Sequence, residues 1–171
     1  MQRPCIRRPD VDDGPRVHAF VAACPPLDRN SRYCTLLQCT HFAETCALAE
    51  MDGAIVGWLG GHLVPGMPDV LFVWQVAVAS SMRGRTLAPA LVMDVLGRSV
   101  CRDVRHVQAS VTEANVSSAR MFARLADGLG APVERVPWFD GLAHLGDPAA
   151  TEYLLRIGPF DVRHAPTREV G

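Results

Sequence analysis

The stretch from Val70 to Gly97 constrains this chain more than any other. Val70 to Val78 is nearly all apolar and rich in Val, Phe and Trp, which predicts a strand buried on both faces. Ser80 and Ser81 interrupt it. Arg83-Gly84-Arg85 then opens a segment whose apolar residues Leu87, Leu91, Val92, Val95 and Leu96 recur at helical spacing. A buried strand, a basic glycine-containing turn and an amphipathic helix, in that order, build an anion site. The helix N-terminus supplies unpaired N–H groups and the positive end of its dipole, and the arginines add charge. The same residues also suit a plain solvated turn.

Composition narrows the class of protein. A length of 171 residues fits one domain, here read as a core over about 5–160 and a C-terminal tail over 161–171. With 49% apolar and 20% charged residues the chain is globular. A net charge of −1 gives no broad attraction to nucleic acid or to a membrane surface. All 17 basic residues are arginine. No run is apolar enough to span a membrane, and Met1 to Asp13 lacks the apolar heart of a secretory signal. The cysteines at 5, 24, 34, 39, 46 and 101 form no C-x-x-C pair, and the histidines complete no zinc spacing. Reduced core thiols in a cytoplasmic protein without a metal are the expectation.

Along the chain, Cys5 to Arg7 reads as a short strand, and the acidic Asp10 to Asp13 precedes a helix that must stop before Cys24-Pro25-Pro26. Asn30 or Ser31 caps a second short helix, with Leu36, Leu37 and Phe42 as its core contacts. Ala43 to Ala49 is a strand, Asp52-Gly53 a hairpin turn, and Ala54 to Val64 the return strand. Gly57, Gly60 and Gly61 in that strand predict a bulge or a close backbone approach. Pro65 to Pro68 forms a loop. His106 to Val111 is a further strand, and Asn115 opens a helix ending near Gly128 and Gly130. Val133 to Phe139 and Glu152 to Ile157 are the last strands, joined by a glycine-rich loop over Asp140 to Asp147. The order predicts an α/β fold, a mixed central sheet with helices on both faces.

Two stretches resemble known families. Arg83-Gly84-Arg85-Thr86-Leu87-Ala88 is similar to the pyrophosphate loop of the GNAT acetyltransferase superfamily, with Thr86 where that motif has a glycine. Pro25-Pro26-Leu27-Asp28, Asn30-Ser31, Tyr33, Leu36-Leu37, Cys39 and His41-Phe42 resemble the hallmark of the diaminobutyrate acetyltransferases, the ectoine-pathway branch of that superfamily. The likeness continues in Leu71 to Val78, in Val111 to Asn115 with Ser118, and in Glu152 to Ile157.

The resemblance implies the GNAT acyl-CoA N-acyltransferase fold, acetyl-CoA as co-substrate, a small diamino acid as acceptor, and a homodimer. It implies that the central strand and the one at 106–111 diverge into a cleft for the pantetheine arm, bonded to the backbone of Val76 and Val78, with Asn115 closing over it. It places Arg83, Gly84, Arg85, Thr86, Leu87 and Ala88 on the pyrophosphate, and Asp28, Tyr33, Trp74 and Glu152 around the acceptor. Residue by residue, plainer readings stand beside these: a helix cap for Asn115, a core indole for Trp74, a solvated carboxylate for Glu152. Two family positions differ. The tyrosine that serves as thiolate acid in many members is Phe122, and the histidine three residues before the glutamate is Ala149.

The chemistry expected is direct attack of the γ-amine of L-2,4-diaminobutyrate on the acetyl thioester. An alkylammonium of pKa about 10 is neutral in roughly one molecule per thousand at pH 7, so making it nucleophilic costs about 4 kcal/mol without a base. Glu152 or Asp28 is expected to collect that proton, and the Val78 N–H to stabilise the oxyanion. A GNAT enzyme for another small amine, and a non-catalytic acyl-CoA-binding domain, remain the competing readings.

Overall fold

The computed structural model describes residues 3–84 and 86–161. Internal contacts divide the chain into two compact units. One runs to Leu63 and adds Val73–Arg102; the other takes Val64–Phe72 and Asp103 onward.

In the first unit, β1 (Cys5–Arg7), β2 (Ala47–Met51), β3 (Ala54–Val64) and the end of β4 (Met67–Val78) follow one another in the sheet order β1-β2-β3-β4. The β2–β3 hairpin turns at Asp52-Gly53, both at positive φ (52° and 76°), the geometry that an Asp-Gly pair favours. Its register shifts between Ala49 and Glu50, opposite Gly57 and Ile55. Both expectations for the glycines of β3 are met. A Cβ on Gly57 would lie 3.2 Å from Ala49, Leu87 and Leu91, so the bare backbone lets the helix after β4 seat against β3.

Three helices accompany these strands: α1 (Gly14–Ala22), α2 (Arg32–Cys39) and α3 (Leu87–Leu96). Asp10 caps a 3-10 turn at Val11–Asp13 that leads into α1, and Ser31, not Asn30, caps α2, its Oγ accepting from the Cys34 N–H at 3.1 Å. Val17, Val21, Cys24, Cys39, Cys46, Leu48, Trp58 and Ala77 form the core here. On α2 the inward residues are Thr35, Gln38 and Cys39, whereas Leu36 and Leu37 are half-buried and Phe42 is exposed. The reason is the room left by small neighbours: Leu36 lies over Gly14, and the Gln38 amide lies over Gly60.

An ion cluster ties the N-terminal segments together. Arg7 donates to both carboxylate oxygens of the buried Asp13, at 2.6 and 2.8 Å, and to Glu50 at 2.8 Å; Arg16 bridges the same two acids. All six cysteines are free. Burial pushes the Cys39 and Cys46 thiols up to about 12 and Cys101 up to about 11, which makes them inert packing groups.

In the second unit the start of β4, β5 (His106–Thr112), β7 (Glu152–Ile157) and β6 (Val133–Phe139) follow the order β4-β5-β7-β6. β4 and β5 run parallel, and β7 is antiparallel to both β5 and β6. β5 alternates strictly, with Val107, Ala109 and Val111 turned inward. α4 (Val116–Leu129) buries Phe122, Leu125, Ala126 and Leu129 and ends on the left-handed Gly130. β6 is an exposed edge strand, and Pro137 within it fits that position.

Several expected boundaries move. Ala43–Thr45 is a 3-10 turn, so the strand expected from Ala43 begins at Ala47. Only Pro65-Gly66 turns between β3 and β4, and β4 begins at Met67, because a proline near a strand start does not prevent pairing. The expected loop over Asp140–Asp147 contains α5 (Gly141–Leu145), with the Asp140 carboxylate accepting from the Ala143 N–H at 2.7 Å. β4 is not buried on both faces along its length. Val73, Gln75 and Ala77 are buried, whereas Trp74, on the alternate face, is 48% exposed. The expected tail lies outside the described residues apart from Asp161.

Candidate active site

The loop expected to hold the cofactor follows the end of β4. A 3-10 turn at Ser80–Met82 brings the chain to Arg83, whose Nε donates to the Val78 carbonyl at 3.4 Å. Gly84 has φ +74° with open space around it, a backbone state that L side chains avoid. Arg85 lies outside the described residues. Thr86 has φ −85° and ψ 10°, which threonine adopts without strain, so the missing motif glycine leaves no dihedral conflict. Thr86 precedes α3 without capping it through its side chain, Leu87 is buried, and Ala88 is half-buried. Position 89 is proline, which has no N–H, and the Ala90 N–H already bonds the Thr86 carbonyl at 3.0 Å. The N–H groups at this helix start without a backbone partner among the described residues are therefore those of Thr86, Leu87 and Ala88, three of the expected loop residues.

In the same unit, Asp28, the first residue expected to bind the acceptor, lies between Pro25-Pro26 and the Ser31 cap. Its backbone carbonyl accepts from Gln75 Nε2 at 2.9 Å, which fastens this loop to β4. Its carboxylate is exposed and forms no ion pair among the described residues. Tyr33, one residue into α2, is 71% exposed. Trp74 packs edge-on against His62 of β3, with ring centroids 6.3 Å apart and planes at 79°. The Phe42 ring also meets His62, at 5.9 Å between ring centroids. Burial lowers the His62 pKa.

In the second unit Asn115 caps α4, its Oδ1 accepting from the Ser118 N–H at 3.2 Å. Phe122 is 3% exposed and belongs to the core. Glu152 opens β7 between Thr112 of β5 and Phe139 of β6. One of its carboxylate oxygens, Oε2, is buried and has no hydrogen-bond partner among the described residues. A carboxylate oxygen withheld from water and left unpaired is costly unless something else bonds it. Glu152 as a whole is half-buried, so only this one oxygen is withheld from water. His144 is exposed, its Nδ1 accepting from the Asp140 N–H. The β4–β5 ladder joins Val70 to His106, Leu71 to Val107 and Phe72 to Gln108; β4 itself continues to Val78 and β5 to Thr112.

The structure thus brings Asp28 to Gln75, Trp74 to His62, and Arg83 to Val78. Trp74, Val76 and Val78 share one face of β4, and Gln75 points to the other. Sequence reasoning assigned no role to Gln75 or His62. A lone amide inside an apolar strand was a signal for the first; the second carried none beyond its residue type. Among the described residues, no group of three His, Cys, Asp or Glu side chains could hold a metal ion.

The profile of the Acetyltransferase (GNAT) family matches residues 16–126. The chain is 48% identical to the L-2,4-diaminobutyric acid acetyltransferase of Bordetella parapertussis over 91% of this chain and 84% of that one. It is 45% identical to the protein of the same name from Chromohalobacter salexigens, over 91% and 81%. Among solved structures it is similar to diaminobutyrate acetyltransferase EctA from Paenibacillus lautus in complex with L-2,4-diaminobutyric acid and coenzyme A. There the identity is 33%, the TM-score 0.88, and the coverage 100% of both chains. A match to Ard1 from Thermoplasma volcanium, at 17% identity and TM-score 0.70, over 92% of this chain and 99% of that one, supports the fold alone.

Proposed function

This chain belongs to the GNAT acetyltransferase family and, within it, to the diaminobutyrate acetyltransferases, and from that membership we propose its reaction and the residues that perform it. The enzyme transfers acetyl from acetyl-CoA to the γ-amine of L-2,4-diaminobutyrate and releases N4-acetyl-L-2,4-diaminobutyrate and coenzyme A, a step of ectoine biosynthesis. The observation that carries the assignment is whole-chain likeness to an enzyme solved with that amino acid and coenzyme A.

The residues have a consistent division of labour. The uncapped start of α3, with Arg83, Gly84, Arg85, Thr86, Leu87 and Ala88, holds the pyrophosphate. Backbone groups of Val76 and Val78, beyond the end of the three-pair ladder, bond the pantetheine arm, and Asn115 contacts it while capping α4. Asp28, Tyr33 and Trp74 bind the acceptor, the indole by a cation–π contact to an ammonium. Glu152, with its unpaired buried oxygen, binds the amine and takes its proton, directly or through water. Asp28 is the second candidate for that proton.

The acceptor's second ammonium assists, since a neighbouring like charge favours the neutral amine. Attack forms the C–N bond, the Val78 N–H stabilises the oxyanion, and collapse expels the thiolate. Phe122, which has no acidic proton, stands where many members of the family carry a tyrosine acid, so water or another group protonates the thiolate.

The whole chain acts as one catalytic domain over residues 1–171, in the cytoplasm, as a homodimer. Six free cysteines support a reducing compartment. The exposed Trp138, Phe139, Leu142 and Leu145 support association with a second copy. The test of the reaction is acetyl-CoA consumption with L-2,4-diaminobutyrate and identification of the product by NMR. Light scattering of the eluting protein tests the dimer.

A further inference from the structure

Trp74, assigned above to the acceptor, meets the His62 ring, which in turn meets Phe42, and neither His62 nor Phe42 has a part in the reaction as assigned. We propose that His62 is a positioning residue for the acceptor: its ring, backed by Phe42, fixes the Trp74 indole in the orientation that receives an ammonium group. The proposal rests on the acceptor role of Trp74 given above.

A tryptophan with about half its surface in water has few packing partners to select one orientation, yet a cation–π contact depends on where the ring face points. The 79° edge-on contact with His62 is an arrangement that aromatic quadrupoles favour. His62 is itself held by the tilted Phe42 ring at the end of the acceptor stretch, at an interplanar angle of 51°. The stack therefore joins three elements: the segment after α2, β3 and β4. Burial lowers the imidazole pKa, so at neutral pH the ring is uncharged and places no repulsive charge beside the ammonium.

The test compares His62→Ala, which removes the ring, with His62→Phe, which keeps it. Ring packing predicts that His62→Ala raises the KM for diaminobutyrate about tenfold while the KM for acetyl-CoA and kcat change less than about threefold. His62→Phe should restore the diaminobutyrate KM to within about threefold of the parent. An unchanged diaminobutyrate KM in His62→Ala overturns the proposal, as does a joint rise of both KM values. If His62→Phe is as poor as His62→Ala and loses kcat, imidazole chemistry replaces ring packing and the proposal is wrong. His62→Leu substitutes for His62→Ala if the latter does not fold.

Failure of the acceptor assignment is separately visible as absence of parent turnover on diaminobutyrate. The positioning claim is then read from acrylamide quenching of Trp74 in a Trp138→Phe background, where Trp58 is fully buried. Quenching should rise in His62→Ala and not in His62→Phe; equal quenching in both contradicts it.

Discussion

Gln75 Nε2 donates to the Asp28 carbonyl at 2.9 Å, so a buried strand side chain holds the loop whose carboxylate is proposed to bind the acceptor. The two residues are 47 positions apart in sequence. Replacing Gln75 by Leu removes this tether at a cost of about 1 kcal/mol. The diaminobutyrate KM should rise several-fold while the acetyl-CoA KM stays constant. Asp28→Ala should raise the diaminobutyrate KM further, again with little effect on acetyl-CoA. Steady-state kinetics with each substrate varied in turn checks both.

Glu152→Gln keeps the shape of the side chain and removes its basicity. If this carboxylate takes the amine proton, kcat at neutral pH falls by about a hundredfold or more. The same substitution should leave coenzyme A affinity, measured by calorimetry, unchanged.

Gly84 and Thr86 make opposite predictions two residues apart. Gly84→Ala forces a Cβ into a left-handed backbone, costing about 1–2 kcal/mol and weakening acetyl-CoA binding about tenfold. The surroundings of Gly84 are open, so this is a backbone effect and not a clash. Thr86→Gly relieves no strain, because Thr86 already sits at φ −85°. It removes a side chain beside the phosphate donors, and acetyl-CoA should bind more tightly, with up to about 1 kcal/mol of fold stability lost to added chain entropy. Calorimetric Kd values and melting curves separate the two effects.

The hydrogen bonds from Arg7 hold the Asp13 carboxyl below the usual carboxylate range. The folded pKa is thus lower than the unfolded one, and the stabilisation is complete above the unfolded value of about 3.9. It is lost as pH falls through the lower, folded pKa. Asp13→Asn should lower stability at neutral pH by about 2–3 kcal/mol. It should also flatten the acid limb of a plot of Tm against pH, which thermal scans from pH 7 to pH 3 would show.

Where one local rule decided the outcome, the sequence was a good guide to the fold. Asp52-Gly53 fixed the hairpin, and β3, β6 and β7 occupy the ranges expected of them. Asn115 caps α4 as its residue type suggested. What escaped depends on contacts distant in sequence. Apolar content alone could not show that Trp74 faces water while its neighbours face the core. The inward turn of Gln38 depends on Gly60, on another element. For the site, family likeness singled out the stretch from Pro25 to Phe42 and the loop from Arg83 to Ala88. The Gln75 tether and the His62 stack were not legible, because each joins segments that only the fold brings together.

The central claim is the acceptor, and loss of thioester absorbance measures it without a thiol dye that free cysteines could contaminate. The parent enzyme is given acetyl-CoA with L-2,4-diaminobutyrate, ornithine, lysine or spermidine at pH 7 to 9. The account predicts turnover confined to diaminobutyrate, with N4-acetyl product by NMR. Preferred turnover of another amine, or acetyl-CoA binding with no turnover on any of them, would contradict it.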